Sequence, residues 1–193
     1  MKKTTPIAEL IAVLMPEGFQ TEESAASHCS REAERLGTVG PAAAMRNVSE
    51  HAKRALPRLG ELAKARGLGG APAATVVGHT FSNVRTFFAD LVVSQEKSYR
   101  GTLLGIQHGV GFFHLLEDAA VASGDQELAD FCAQWVTERT ELAAEVEREL
   151  AWFAQNPEAA LARAVPAFVK SIGRSLPFRG AKRADANAPE ARA

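Results

Sequence analysis

The segment AVASGDQELA, residues 120–129, decides how this chain folds. Gly124 and Asp125 interrupt two long stretches in which apolar residues recur with helical periodicity. Ser123 and Gln126 have the spacing of a capping box, which predicts that a new helix begins at this corner. Because the connection is so short, the two helices are expected to lie antiparallel as an αα-hairpin.

Both helices of this hairpin are predicted to be long. The first runs from Ser94, a suitable N-cap, to about Ala122, and the second runs from the corner to about Gln155. At about 1.5 Å per residue, each is roughly 45 Å long. The apolar stripe of the second helix consists of Leu128, Phe131, Cys132, Trp135, Leu142, Val146, Leu150 and Phe153.

The N-terminal segment predicts a separate amphipathic helix. Thr5 followed by Pro6 is a favourable helix start, because proline loses no hydrogen bond at the first helical position. Pro16 and Gly18 are expected to end this helix. The charged start resembles a signal peptide, but Glu9 interrupts the apolar part and no small-residue cleavage site follows. The apolar face is Ile7, Leu10, Ile11 and Leu14.

Three further helices are predicted between residues 22 and 92. A polar helix covers about 22–36, and a helix over 41–56 is kinked or restarted by Pro57 and extends to Gly67. The third covers about 73–92. Together with the hairpin, these elements favour an all-α, four-helix-type bundle domain over residues 1–160, with the N-terminal helix as an extra element. The inward residues of the third helix are Val77, Phe81, Val84, Phe88 and Leu91.

The composition is that of a soluble globular protein, with 46% hydrophobic and 23% charged residues. Two cysteines, Cys29 and Cys132, are too few for a disulfide framework and favour a reducing cytoplasm. No apolar stretch approaches the length of a membrane span. The phosphate-loop, haem-attachment and dinucleotide motifs do not occur in the sequence.

A net charge of −1 hides an acidic centre and a basic C-terminus. Residues 94–162 contain 4 Lys and Arg against 12 acidic residues, whereas residues 163–193 contain 7 against 2. A short helix is expected to start at Asn156–Pro157 and to continue as an amphipathic basic helix over 161–178, followed by a disordered tail over 179–193.

The helix over 161–178 has the features of an interaction segment. It could pack back on the bundle as a structural helix, bind a groove on a protein partner or lie on an anionic membrane surface. Nucleic acid is disfavoured as a partner, because the charges are few and no base-reading module accompanies them. The candidate interaction residues are Phe168, Ile172, Arg174, Leu176 and Phe178.

The segment IQHGVGFFHLLED, residues 106–118, raises the question of a polar site inside the hairpin. At about 100° per residue, His114 and Glu117 share a stripe with Glu96 and Tyr99, whereas His108 lies well away from it. This stripe is either a site for a metal or the solvated seam and ion pairs of a packed helix. The opposite, inward side is expected to hold Leu104, Phe112, Leu115, Leu116 and Ala119.

Two further ionic pairs are predicted. Arg139 falls close to the apolar stripe of its own helix, so it needs a carboxylate, and Glu117 and Glu96 are the candidates. His28 and Glu32 are four residues apart and are expected to form a surface pair.

The segment EHAKRALPRLGELAKARG, residues 50–67, followed by two long helices joined at GD, resembles the ferritin-like superfamily. The resemblance is to small bacterial stress-associated members and covers about residues 41–155. It implies that Glu50 and Glu96 correspond to glutamates of the first and third family helices. It would imply an iron or manganese site of Glu50, Glu96, His114 and Glu117. The family's Glu-x-x-His motif is missing, since Glu96 is followed by Tyr99, so an atypical or degraded centre is expected.

The leading functional expectation is a non-catalytic helical bundle that binds a protein partner or its own copies. The Ile7–Leu14 face and the 161–178 segment are the candidate surfaces. The alternative is a ferritin-like metal-binding protein or di-metal oxidoreductase. A further alternative is peripheral membrane association through the C-terminal segment.

Overall fold

The computed structural model describes residues 5–68 and 93–165, and these form an all-α bundle without β-strands. The predicted fold class is therefore confirmed. Four long helices make up the bundle, and two short ones follow them. They are α1 (Pro6–Leu36), α2 (Gly40–Ala65), α3 (Gln95–Ser123), α4 (Gln126–Arg148), α5 (Leu150–Gln155) and α6 (Pro157–Leu161).

Helix α1 is a single helix of 31 residues that contains Pro16. Thr5 caps it as predicted, since its Oγ accepts the Ala8 N–H at 3.4 Å. The expectation that Pro16 and Gly18 end the helix was wrong, and there is no separate N-terminal helix. The physical reason is tertiary packing: Gly18 is buried, and a Cβ there would lie 3.5 Å from the Phe112 ring, so both halves of α1 line the same core.

The corner between α3 and α4 has the predicted geometry with a different cap. Ser94 caps α3, and Gly124 adopts a left-handed conformation (φ 76°). Asp125 caps α4, because its carboxylate accepts the Leu128 N–H at 3.2 Å. Ser123 was predicted for this role, but it is still the last residue of α3 and its hydroxyl donates to the Ala120 carbonyl at 2.8 Å.

The other boundaries follow the predictions in part. Helix α2 passes through Pro57 without a break, whereas the predicted helix to Gln155 is divided at Glu149 into α4 and α5. Helix α6 begins at Pro157 as expected but ends at Leu161. The next residues are extended, with Gln95 N–H donating to the Ala162 carbonyl at 2.8 Å. The predicted helix over 73–92 and the segments 166–178 and 179–193 lie outside the described residues.

The connectivity contains one long crossover. Helix α1 packs against α2 and α3, and α4 packs against the same two helices. Contacts of Arg35 with Ser98 and of Gly18 with Phe112 show that α1 and α3 are antiparallel. Because α1 and α2 are also antiparallel, α2 and α3 run in the same direction. The chain between them therefore connects opposite ends of the bundle.

The core consists of two apolar clusters with a polar layer between them. One cluster contains Met15, Leu59, Phe113 and Leu128, and the other contains Cys29, Met45, Tyr99 and Val146. Along α1, α2 and α4, the positions between the two clusters are Glu22, His51 and Arg139, all of which are buried. None of the helices described is both long and apolar enough to cross a membrane.

Candidate functional site

Arg139 occupies the centre of the polar layer. Its side chain is wholly buried, and Nη2 donates to Glu22 Oε2 at 2.7 Å. Nε donates to His51 Nδ1 at 3.1 Å, and the guanidinium lies over the Trp135 ring, 4.6 Å from its centroid. The expectation that Arg139 borders the core and pairs with a carboxylate is therefore correct. The predicted partners Glu117 and Glu96 were wrong, because Glu22 of α1 supplies the carboxylate.

His51 is held as a neutral imidazole. Its Nδ1 accepts from Arg139, so this nitrogen carries no proton. Its Nε2 lies 3.1 Å from Glu138 Oε2 and donates to it. Burial and the charge of Arg139 lower the pKa of His51 to about 4. Because both ring nitrogens are already engaged, His51 has no free lone pair with which to act as a general base.

Burial dominates the electrostatics of the ion pair. It raises the pKa of Glu22 above its usual value, and the adjacent Arg139 opposes that rise. It also lowers the pKa of Arg139. Within the described residues, Glu22 Oε1 and Trp135 Nε1 are buried and make no hydrogen bond of regular geometry, although the Trp135 indole also helps to lower the pKa of Glu22. The pair is therefore a costly structural element whose charges depend on each other.

A shallow groove between α2 and α4 opens outside this layer. It encloses about 490 Å³, with Phe131, Trp135 and His51 among its lining residues. Arg58 on its rim pairs with both Glu61 and Glu127. The groove therefore combines an aromatic floor with a charged rim, on which Arg58 is paired with carboxylates.

A second polar cluster joins the extended residues that follow α6 to the bundle. Glu32 and Arg35 form a buried ion pair, Ser98 donates to Glu32 at 2.5 Å, and Arg35 donates to the Ala164 carbonyl at 3.4 Å. The expectation that Glu32 lies at the surface was wrong, because its exposed fraction is 4%. This cluster positions residue 164 against α1 and has a structural role.

The four predicted metal ligands do not come together. Glu50 is exposed and pairs with Lys53 at 2.7 Å, and Glu96 pairs with Arg100 of its own helix. His114 Nδ1 lies 3.6 Å from Glu117, so only this pair is adjacent. Within residues 5–68 and 93–165, no group of three or more His, Cys, Asp or Glu side chains is arranged to hold a metal ion. The predicted interaction residues Phe168, Ile172, Arg174, Leu176 and Phe178 lie outside the described residues.

The buried thiol and phenol groups of the described residues are poor nucleophiles near neutral pH. Burial raises the pKa of the Cys29 and Cys132 thiols to about 12, so both stay protonated near neutral pH. Burial also raises the pKa of Tyr99, whose hydroxyl donates to the Val146 carbonyl at 3.1 Å. These groups fill the core and are not available for catalysis.

The outer face of α3 is the least expected feature. Phe112, Leu116 and Ala119 are buried as predicted, but Leu104 and Leu115 were wrongly assigned to the core and are 66% and 48% exposed. Three glycines share this face, and within residues 5–68 and 93–165 a Cβ at any of them would have no neighbouring atom within 4 Å; they are Gly101, Gly105 and Gly111. A glycine inside a helix costs about 1 kcal/mol relative to alanine, so the bundle itself gains nothing from them. Their spacing was the available signal in the sequence.

Comparison with protein-family models, with curated proteins and with solved structures finds no match to this chain.

Proposed function

We propose that this protein is a non-catalytic helical bundle that binds protein through the outer face of α3. The observation that carries the proposal is the exposure of Leu104 and Leu115 beside three helical glycines that have no close neighbours in the described part of the chain. Two exposed leucines that share one helix face with these glycines leave apolar surface in contact with solvent, and exposed apolar surface of this kind is characteristic of interaction sites.

The interior supports a binding role over an enzymatic one. His51 uses both ring nitrogens, and Arg139 and Glu22 neutralise each other. The thiols of Cys29 and Cys132 are buried and protonated. A cytoplasmic location is part of the proposal and is supported by these free thiols.

The surfaces expected from the sequence receive less support than α3. Ile11 and Leu14 of the Ile7–Leu14 face are buried in the bundle core, which leaves Leu10 and Val13 as its exposed apolar residues. Binding to a partner groove or to an anionic membrane through the 161–178 segment stays a prediction, because most of that segment lies outside the described residues.

A distant relationship to the ferritin-like superfamily is also proposed. The single long crossover between the parallel helices α2 and α3 is the connectivity associated with ferritin-like bundles, which supports it. Iron or manganese binding receives no support from the described residues, since Glu50, Glu96 and His114 each have separate nearby partners.

Two double variants with equal added charge test the binding proposal. Leu104→Glu/Leu115→Glu alters the α3 face, and the control Gln20→Glu/Gln155→Glu adds the same charge at exposed positions outside every candidate surface. Wild type and both variants are immobilised and exposed to a lysate of the cells in which the protein occurs naturally. Captured proteins are identified and purified, and their affinity for each of the three chains is measured by calorimetry.

We expect a protein captured by the wild type and by the control, with its binding abolished by the α3 variant. Equal calorimetric affinity for all three chains would contradict the α3 face as the binding site. Absence of both a captured protein and self-association would contradict the binding function as a whole.

A further inference from the structure

His51 lies between a buried cation and a more exposed anion. Its Nδ1 accepts from Arg139 Nε at 3.1 Å and lies 2.8 Å from Arg139 Nη2, inside the polar layer. Its Nε2 faces Glu138 Oε2 at 3.1 Å, and the Glu138 side chain is 44% exposed. Both His51 and Glu138 line the groove between α2 and α4. The ring therefore has the buried guanidinium on one side and the groove on the other.

A proton on Nδ1 is incompatible with this arrangement. The Arg139 side chain stays charged and can only donate, so it requires an acceptor at that nitrogen. A protonated Nδ1 would instead set an N–H donor and a positive charge against the guanidinium. Glu138 has the opposite effect, because its charge favours the protonated ring. Acid therefore weakens the inward contact of His51 and strengthens the outward one.

The other charged groups around the layer act in the same direction. Arg54, on the same helix as His51, also opposes protonation of the ring. Glu22 of α1 holds Arg139 in place through the 2.7 Å contact with Nη2. In the described ranges, none of the buried charged side chains belongs to α3. Because Glu22 retains the guanidinium, we expect the His51 ring to move and Arg139 to stay.

We propose that His51 is an acid-sensitive switch of the contact between α2 and α4. On protonation its ring leaves Arg139, turns toward Glu138 in the groove and admits water to the polar layer. The two apolar clusters on either side of the layer consist of uncharged side chains, so they continue to hold the four helices together while the layer opens. The inference concerns the interior and the groove, and it is independent of the binding function proposed for α3.

The fluorescence of Trp135 can report this movement. Its ring centroid lies 5.8 Å from that of His51, and the side chain is buried. The full-length chain contains two tryptophans, so Trp152→Phe leaves Trp135 as the single one. On acidification from neutral pH we expect a red-shifted emission and stronger quenching by acrylamide. The midpoint should lie at about pH 4 or slightly above, where the pKa of His51 lies, and far-UV circular dichroism should stay native through the transition.

Three further substitutions in the Trp152→Phe chain separate His51 from the other titrating groups. His51→Gln can accept from Arg139 and donate to Glu138 without titrating, so the transition should disappear. Glu138→Gln removes the charge that favours protonation and should move the midpoint to lower pH. His114→Gln replaces an exposed histidine of α3, and as the matched control it should leave the midpoint unchanged.

Long-range ¹H–¹⁵N spectra of the unaltered protein follow the same step without a substitution. At neutral pH His51 should carry its proton on Nε2 alone, and the second proton should appear over the same pH interval as the Trp135 change. A Trp135 change that coincides with loss of the circular-dichroism signal would overturn the inference. So would a change that persists in His51→Gln, which would assign it to another acid such as Glu22, whose pKa is raised by burial. Protonation of His51 without any change at Trp135 would equally contradict it.

Discussion

Arg139 Nη2 and Glu22 Oε2 lie 2.7 Å apart, and the two side chains are 1% and 0% exposed. Glu22 belongs to α1 and Arg139 to α4, helices at diagonally opposite corners of the bundle. His51 of α2 completes the layer by accepting from the same guanidinium. One cation thus connects three of the four long helices through the centre of the core.

Removing that cation should strongly destabilise the fold. Arg139→Met leaves Glu22 charged, buried and unpaired, and we expect a loss of about 3–5 kcal/mol in the free energy of unfolding, measured with urea at pH 7. Adding Glu22→Gln should recover part of the loss, because the uncompensated charge disappears. Arg58→Met is the control and should have little effect, since its ion pairs are exposed. Equal losses in Arg139→Met and the double variant would contradict the coupling.

His51 should make stability depend on pH. Its folded pKa is lowered to about 4, whereas the unfolded chain binds the proton near 6.5. The stability that neutral His51 contributes to the folded state is therefore fully present above pH 6.5 and is lost as the pH falls toward 4. Between pH 7 and 5 the wild type should lose about 1–2 kcal/mol more than His51→Gln in urea unfolding. Glu22, whose pKa is raised, contributes with the opposite sign in both proteins. Parallel pH profiles would show that His51 does not titrate in this way.

Asp125 should stabilise the corner more than Ser123 does. Its carboxylate caps α4 and also accepts from Arg66 Nε at 2.6 Å and Arg66 Nη2 at 2.5 Å. Asp125→Ala should cost about 1–2 kcal/mol for the lost cap, with the ion pair adding to it. Asp125→Asn keeps a capping oxygen and should cost less. Ser123→Ala removes only a bond to the Ala120 carbonyl, and thermal unfolding should show little change. A larger loss of stability for Ser123→Ala than for Asp125→Ala would show that Ser123 is the residue that caps α4.

Pro16 should destabilise α1, so its replacement should stabilise the fold. It lies inside the helix and is exposed, so its ring removes a backbone donor without adding core packing. Pro16→Ala should raise the free energy of unfolding by about 1–3 kcal/mol, measured with urea. Pro6→Ala is the matched control: Pro6 stands at the helix start, where no hydrogen bond is lost, and its replacement should bring no gain.

Local signals in the sequence predicted what is decided locally. Ser94 caps α3, Gly124 closes it and Thr5 opens α1, because each acts through atoms three or four residues away. The end predicted at Pro16 failed because its outcome depends on packing against α3. A single buried face can extend a helix through a proline.

The polar layer was only half predictable for the same reason. Helical periodicity placed Arg139 beside the core, but its partner Glu22 lies 117 residues away in sequence. Periodicity within one helix does not specify which helix faces it. Leu104 and Leu115 were assigned inward because they are apolar, and only the arrangement of all four helices shows that this side of α3 is exposed.

The polar layer also divides its members between the two helical hairpins. Glu22 and His51 belong to the α1–α2 half, and Arg139 and Glu138 belong to the α3–α4 half. Either half alone would hold a charge that only the other can neutralise, in a position that folding removes from water. This arrangement disfavours a partly formed bundle. A hairpin on its own can form apolar contacts, but its buried charge has no counter-ion within the same hairpin. In the complete bundle, each hairpin supplies the charge that its partner's interior needs.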